Sequence, residues 1–285
     1  MIGRWCVVVL CLAFVAMPEA RATQERPVFR SSGEIVRLDV LVADGGRPVT
    51  GLRPQDFTVL DNGVPQRVEF LSTDAMPLNV VLNFDVSGSV EGRRLQDLKA
   101  AGRAVLDDLH SGDQAALVSF SHLVAVPARL TSDFSAVRAA LEASPPGGQT
   151  SLVDAALAGV AIGASQPGRS VMLTFSDGAD TASILPPASV IDAARRAEVV
   201  VFGVSTGPLK ASFLRDLADT TGGDTVEIRS TAELRSTLLK LLNEYRQRYL
   251  LAYSPAGVPS AGWHAISVTV SKKGATVKTR QGYQR

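Results

Sequence analysis

The chain has 285 residues, a net charge of +1 and 46% hydrophobic residues. That composition suits one large folded domain, alone or with a smaller companion, and excludes a disordered chain. The near-balanced charge implies neither a nucleic-acid partner nor an anionic membrane surface.

The first residues read as an export signal spanning 1–22. Arg4 precedes the apolar run "CVVVLCLAFVAM", and Ala20-Arg21-Ala22 is a small-x-small cleavage site. The run is short for a membrane span, and Pro18 and Glu19 end it. An uncleaved anchor is therefore disfavoured, and the mature chain is expected to carry no integral membrane span. Both cysteines, Cys6 and Cys11, fall inside this segment. Val9 and Leu10 precede Cys11, which argues against a lipoprotein signal, where a small residue is needed. Cleavage after Ala22 removes Arg4, Glu19 and Arg21 and leaves a charge-balanced, cysteine-free chain. A thiol metal site is then excluded, and oxygen ligands remain.

Residues 23–33 read as a flexible segment. From 34 to 76 the pattern is β: "IVRLDVLVA" alternates, and Asn62-Gly63 separates two short apolar alternations, a hairpin signal. From 77 to 246 buried strands alternate with helices. "LNVVLNF" is a continuous apolar run, as in a strand covered on both faces. Leu95, Leu98, Ala101, Val105 and Leu109 follow at helical spacing. "QAALVSFS", "SVMLTFS", "EVVVFGVS" and "DTVEI" read as further strands, separated by helical stretches. The last helix places Leu234, Leu238, Leu241 and Tyr245 on a core face. This order predicts an α/β fold with a doubly wound, mostly parallel sheet. From 247 to 285 the chain returns to β, with three expected strands, the last two joined around Lys273-Gly274. Neither flank has strands enough to stand alone, so 34–76 and 247–285 are expected to pack together as a small β module.

Ligands of open α/β sheets bind beyond the carboxyl ends of the strands. Three oxygen-rich loops fall there. "DVSGSV" carries Asp85, Ser87 and Ser89, "GGQTSLVDAAL" carries Thr150, and "TFSDGAD" carries Asp177. Five hard oxygen donors suit a six-coordinate Mg²⁺ or Mn²⁺, with Ca²⁺ as an alternative. Gly88, Gly147, Gly148 and Gly178 would let the loops approach one another. Taken alone, "DVSGSV" reads equally well as a turn whose serine caps a helix. Thr150 and Asp177 tip the balance towards a metal. Asp154 is better assigned to its helix N-terminus, Asp180 to loop capping, and His110, His122 and His264 to packing or surface.

Asp85-x-Ser87-x-Ser89, then Thr150, then Asp177, in this α/β setting, resembles the metal-ion-dependent adhesion site (MIDAS) of a von Willebrand factor type A domain. The stretches "VLVADGGRPVTGLRPQDFTVLDNGVPQ" and "YLLAYSP…TRQGYQR" are similar to secreted bacterial proteins, frequent in acidobacteria, that carry such a domain between β segments. The resemblance implies that Ser87, Ser89 and Thr150 offer hydroxyls to the cation, while Asp85 and Asp177 supply charge. It also implies an open coordination position for a Glu or Asp of a protein partner.

No Gly-x-Ser-x-Gly elbow and no phosphate-binding Gly-x-x-x-x-Gly-Lys loop is present, and a phosphoaspartyl enzyme would want an acid where Ser87 stands. The expectation is an exported, non-enzymatic binding protein, periplasmic or secreted. The alternative is an assembly scaffold with a vestigial or purely structural site, and a metal-dependent hydrolase is a distant third.

Overall fold

The computed structural model describes residues 35–73, 76–177, 179–206 and 212–285. Residues 1–22, expected to be an export signal, both cysteines, the segment 23–33 and Gly178 lie outside them.

The chain enters as β1 (Val36–Asp44), β2 (Arg47–Pro48), β3 (Phe57–Asp61), β4 (Val64–Gln66) and β5 (Phe70–Ser72). The alternating half runs β6 (Leu78–Asp85), α1 (Arg93–Asp107), β7 (Gln114–Phe120), β8 (Val124–Thr131), α2 (Phe134–Ala143), α3 (Leu152–Gly163), β9 (Arg169–Phe175) and α4 (Pro187–Arg196). It continues through β10 (Val199–Thr206), α5 (Ser212–Thr221), β11 (Thr225–Ile228) and α6 (Leu234–Arg246). The tail adds β12 (Tyr249–Tyr253), β13 (Trp263–Val270), β14 (Thr276–Lys278) and β15 (Gly282–Gln284).

Six strands form the central sheet in the order β11-β10-β9-β6-β7-β8, parallel except for the antiparallel β7–β8 pair. One face packs on α1, α2 and α6 through Leu98, Leu141 and Leu238, the other on α3, α4 and α5 through Val153, Val190 and Leu217. The helices cover both faces, so the central strands β6 and β9 are buried from end to end, β6 with eight buried residues in a row, while the edge strands β8 and β11 are largely exposed or half-buried. Strand β8 goes beyond the sequence reading. Its Pro127 argues against a strand, but β8 lies on the sheet edge, where a missing N–H is tolerated.

Strand β6 also carries polar side chains on one side, at Asn79, Asn83 and Asp85, with Val81 between the first two. In register with β9, Asn79 donates to the Ser170 hydroxyl (3.3 Å) and Asn83 to the Thr174 hydroxyl (3.3 Å). One step beyond the paired register, Ser176 donates to Asp85 (2.7 Å). A buried polar row therefore runs along the centre of the sheet and ends at Asp85.

The flanking strands make two antiparallel sheets, β14-β1-β12-β5 with β2 on the side, and β15-β13-β3-β4. Leu38, Val40, Phe57, Val59, Leu251 and Val268 share one core between them. The Asn62-Gly63 hairpin forms as read, with φ of 48° and 79° and Asp61 opposite Val64. The Lys273-Gly274 turn instead joins strands of different sheets, since β13 pairs with β3 and β14 with β1.

Inside that core Asp61 is fully buried and accepts three hydrogen bonds, from His264 Nδ1 (2.8 Å), Tyr253 (2.9 Å) and Tyr283 (2.8 Å). Burial raises the pKa of both tyrosine hydroxyls, and their bonds to Asp61 raise it further, so they remain donors. These partners come from β12, β13 and β15, all beyond residue 246. A chain ending at Arg246 loses them together with Tyr249 and Leu251, and exposes Leu38, Val40, Phe57 and Val59. Such a chain is expected to aggregate in size-exclusion chromatography and to lose amide protection over residues 36–44 and 57–61. Unchanged protection there would refute dependence on the tail.

A second buried carboxylate fixes the far end of the sheet. Asp113 accepts from the Leu78 amide (2.8 Å), the His110 amide (2.8 Å) and Arg246 (2.6 Å). Burial pushes its pKa up, but Arg246 and the two amides together outweigh burial and hold it below the ordinary value. A depressed pKa adds stability above the unfolded-state pKa, and that stability is lost as pH falls through the folded one. Asp113→Asn should therefore lower stability at neutral pH by about 2–3 kcal/mol. The gap to wild type should narrow as pH drops below the carboxylate range in urea unfolding. A gap independent of pH would show that charge on Asp113 is irrelevant.

Candidate metal centre

Strand β6 ends on Asp85, fully buried, and the chain turns at once. Asp85 Oδ1 accepts the Ser87 amide (2.9 Å), while Oδ2 accepts the Ser176 hydroxyl (2.7 Å). Burial raises the Asp85 pKa; the Ser87 and Ser176 bonds pull it back without cancelling burial, and nearby Asp177 raises it again.

The Ser87 and Ser89 hydroxyls lie 3.1 Å apart, and Ser89 Oγ donates to Asp177 Oδ1 (2.6 Å). Neither serine caps α1, whose N-cap is Gly92 and makes no side-chain bond. Ser87 does stand at the N-cap of a 3-10 turn, Gly88–Val90, but its side chain makes no capping bond there, and the two hydroxyls instead bond each other and, through Ser89, Asp177.

Thr150 arrives from another loop, and the backbone brings it there. Gly147 N donates to Val86 O (2.9 Å), Gly88 N to Gly148 O (3.0 Å) and Ser151 N to Ser121 O (2.8 Å). Gly148 adopts φ +82°, and a Cβ there would sit 2.0 Å from His122 Nδ1. Thr150 itself is buried; its amide donates to Thr181 Oγ1 (3.0 Å), and its carbonyl accepts the Thr181 (2.8 Å) and Ala182 (3.0 Å) amides. All five sequence-selected residues thus stand at the carboxyl ends of β6 and β9 and on the adjoining loop. Four of them, Asp85, Ser87, Ser89 and Asp177, are directly linked.

Three contributors escaped the sequence reading. Ser176 holds Asp85, Thr181 holds Thr150, and Arg94 donates through Nη1 to Asp177 Oδ2 (2.8 Å) and to Ser89 O (3.0 Å). Ser176 was visible only as the residue before Asp177, while Thr181 and Arg94 carried no spacing signal. Asp154 and Asp180 work close by. Asp154 accepts the Ile184 (3.0 Å) and Leu185 (2.9 Å) amides, so it pins the following loop rather than only serving its own helix. Asp180 accepts from Ser183 (2.6 Å) and from the Val153 amide (3.4 Å) at the start of α3. His122 and His110 are exposed, and His264 is buried in the β module.

The donors fit a small hard cation. An octahedral Mg²⁺ with ligands at about 2.1 Å sets neighbouring oxygens about 3.0 Å apart, close to the 3.1 Å between the two serine hydroxyls. Among the described residues no three His, Cys, Asp or Glu side chains gather as ligands. Any cation at this place would thus depend on hydroxyls as well as carboxylates.

The von Willebrand factor type A domain model matches residues 79–240. A curated relative, inter-alpha-trypsin inhibitor heavy chain H2 of Sus scrofa, is 26% identical over 61% of this chain and 20% of its own length. The chain therefore spans about a fifth of that relative. Among solved structures, a von Willebrand factor type A protein from Catenulispora acidiphila aligns over 90% of this chain and 75% of its own, with 14% identity and a TM-score of 0.57. Proximal thread matrix protein 1 from the mussel byssus, solved with its MIDAS motif occupied by zinc, aligns over 65% of this chain and 50% of its own, with 19% identity and a TM-score of 0.54.

If Thr181 positions Thr150, then Thr181→Val should cost about 1 kcal/mol of stability and speed exchange of the Thr150 amide about tenfold. Amide exchange followed by NMR reads both, and an unchanged Thr150 amide would refute the assignment.

The fold, the matched residues and the site sequence together place this chain in the von Willebrand factor type A domain family.

Proposed function

We propose that the chain is an exported, non-enzymatic protein-binding module, periplasmic or secreted, whose Asp85, Ser87, Ser89, Thr150 and Asp177 hold a divalent cation for a partner's carboxylate. The observation that carries this is the linked cluster of Asp85, Ser87, Ser89 and Asp177 at the strand ends, with its hydroxyls at octahedral spacing. Mg²⁺ and Mn²⁺ match the hard oxygens best, with Ca²⁺ as an alternative. When bound, the cation supplies positive charge and one coordination position for a Glu or Asp of a protein partner. Asp85, fixed by Ser176 and the Ser87 amide, holds charge at the base of the site. Ser87 and Ser89 present hydroxyls from one loop, and Thr150 presents its own from another, so loop geometry and coordination are coupled. The flanking strands act as one β module carrying the domain. No helix among the described residues is long and apolar enough to cross a membrane.

A second reading is a scaffold with a vestigial or structural site. It draws on Arg94, whose guanidinium already pairs with Asp177.

A ligand at a hundredfold excess over its Kd adds about 2.7 kcal/mol to a native state that alone binds it. Saturating Mg²⁺ or Mn²⁺ should therefore raise the melting temperature, and Asp85→Ala should abolish the rise. A pull-down from the native cell envelope should recover a partner with Mg²⁺ and lose it with EDTA or with Thr150→Ala. Equal recovery in EDTA and by the Thr150→Ala protein would favour the scaffold.

A further inference from the structure

Arg94 stands in the first turn of α1, five residues after Ser89. Its neighbour Arg93 turns towards Asp97 (3.6 Å), while Arg94 reaches the site. The Arg94 side chain is 53% exposed and the Asp177 carboxyl 2%, so the guanidinium enters from solvent to meet a buried acid. Asp177 Oδ1 is held by Ser89 and Oδ2 by Arg94. Both oxygens are thus committed, and a cation already answers the Asp177 charge.

Resting on the cation reading of the same five residues, we propose that Arg94 sets the charge of the site. It competes with a divalent ion at Asp177, and it leaves the loaded site net positive towards an acidic partner side chain. The formal charges show how. Asp85 and Asp177 balance a divalent ion alone, so a loaded site without Arg94 is neutral, and with Arg94 it carries one positive charge. Arg94 therefore trades cation affinity for attraction to a carboxylate. Because the guanidinium is half in water, its effect is modest and screened by salt.

Calorimetric titration of Mn²⁺ into the full chain, Arg94→Gln and Arg94→Lys tests this, with circular dichroism confirming the fold of each. Arg94→Gln should bind Mn²⁺ about three- to fivefold more tightly. Arg94→Lys should stay near wild type, and the difference should shrink at high salt. With Mn²⁺ loaded, acetate as a carboxylate probe should bind Arg94→Gln more weakly than wild type. Equal or weaker Mn²⁺ binding by Arg94→Gln would overturn the role of Arg94 and leave the cation reading standing. Equal or tighter acetate binding by that variant would overturn its effect on the partner. Binding by Arg94→Gln but not by wild type would support Arg94 as a block and overturn the cation reading of the native chain. Binding by neither would overturn both.

Discussion

Asp85 is a carboxylate with no exposure, at the end of a strand with helices on both faces. Unpaired, such a group is among the costliest features a fold can carry. The surrounding structure is arranged to partner it. Ser176 is there because β9 runs in register beside β6, and the Ser87 amide is there because the chain turns immediately. These partners moderate the burial of Asp85, but they are neutral, and its pKa stays raised. Asp177 alongside raises it further, and Arg94 bonds Asp177. On the proposed reading, a cation at this end of the sheet would offset the burial of Asp85 and the charge of Asp177 beside it.

The same principle, a buried charge with its partners drawn from distant chain segments, joins the β module to the domain. Arg169, at the start of β9, donates to Asp39 on β1 (2.7 Å) and to Tyr245 O on α6 (3.0 Å), and its guanidinium lies 4.8 Å from the Tyr245 ring. Burial opposes the charge on Arg169, yet Asp39 and Tyr245 outweigh it and raise the guanidinium pKa. Tyr245 OH closes the triangle on Asp39 (3.2 Å). Arg248, fully buried two residues past α6, donates to Gly222 O (2.7 Å) and to Glu244 (3.3 Å). Removing one member of such a set leaves another charge buried and unpaired. The junction lies at the amino end of β9, opposite the end that carries Asp177, so the module holds the sheet without crowding the site.

What the sequence revealed, it revealed through periodicity and through oxygen types at strand ends. The switch from period-two alternation to continuous apolar runs at residue 77 marks β6, and Asn62-Gly63 marks a turn only because two residues of positive φ were needed there. The five proposed donor positions stood out in the sequence because each lies at or shortly after the end of a buried strand, or just before a helix. Arg94, Thr181 and Ser176 were not, because their roles exist only after β6 and β9 pair and the 147–151 loop folds back through Gly88 and Gly148. His264 was equally opaque. Nothing local shows that it meets Asp61, about two hundred residues away, inside a core made by both flanks. Strand β8 was hidden by Pro127, whose tolerance depends on an edge position no local window shows.

The donor set explains why hydroxyls are useful here. A site of four or five carboxylates would bind a divalent ion tightly and neutralise it, leaving nothing to attract an outside acid. As proposed, two carboxylates would balance the ion only formally, and three hydroxyls would fill coordination positions without adding charge. On the proposed reading, selectivity for an acidic partner rests on this shortage of negative charge, and Arg94 extends the shortage by one unit. Within the protein itself, Asp85 and Asp177 lie close together in a buried setting, and the half-exposed Arg94 guanidinium pairs with Asp177. Cation binding and acid recognition are then two consequences of one imbalance. On that reading, a substitution that adds a fixed cation or removes a carboxylate weakens cation binding and makes a loaded site more positive towards an acid.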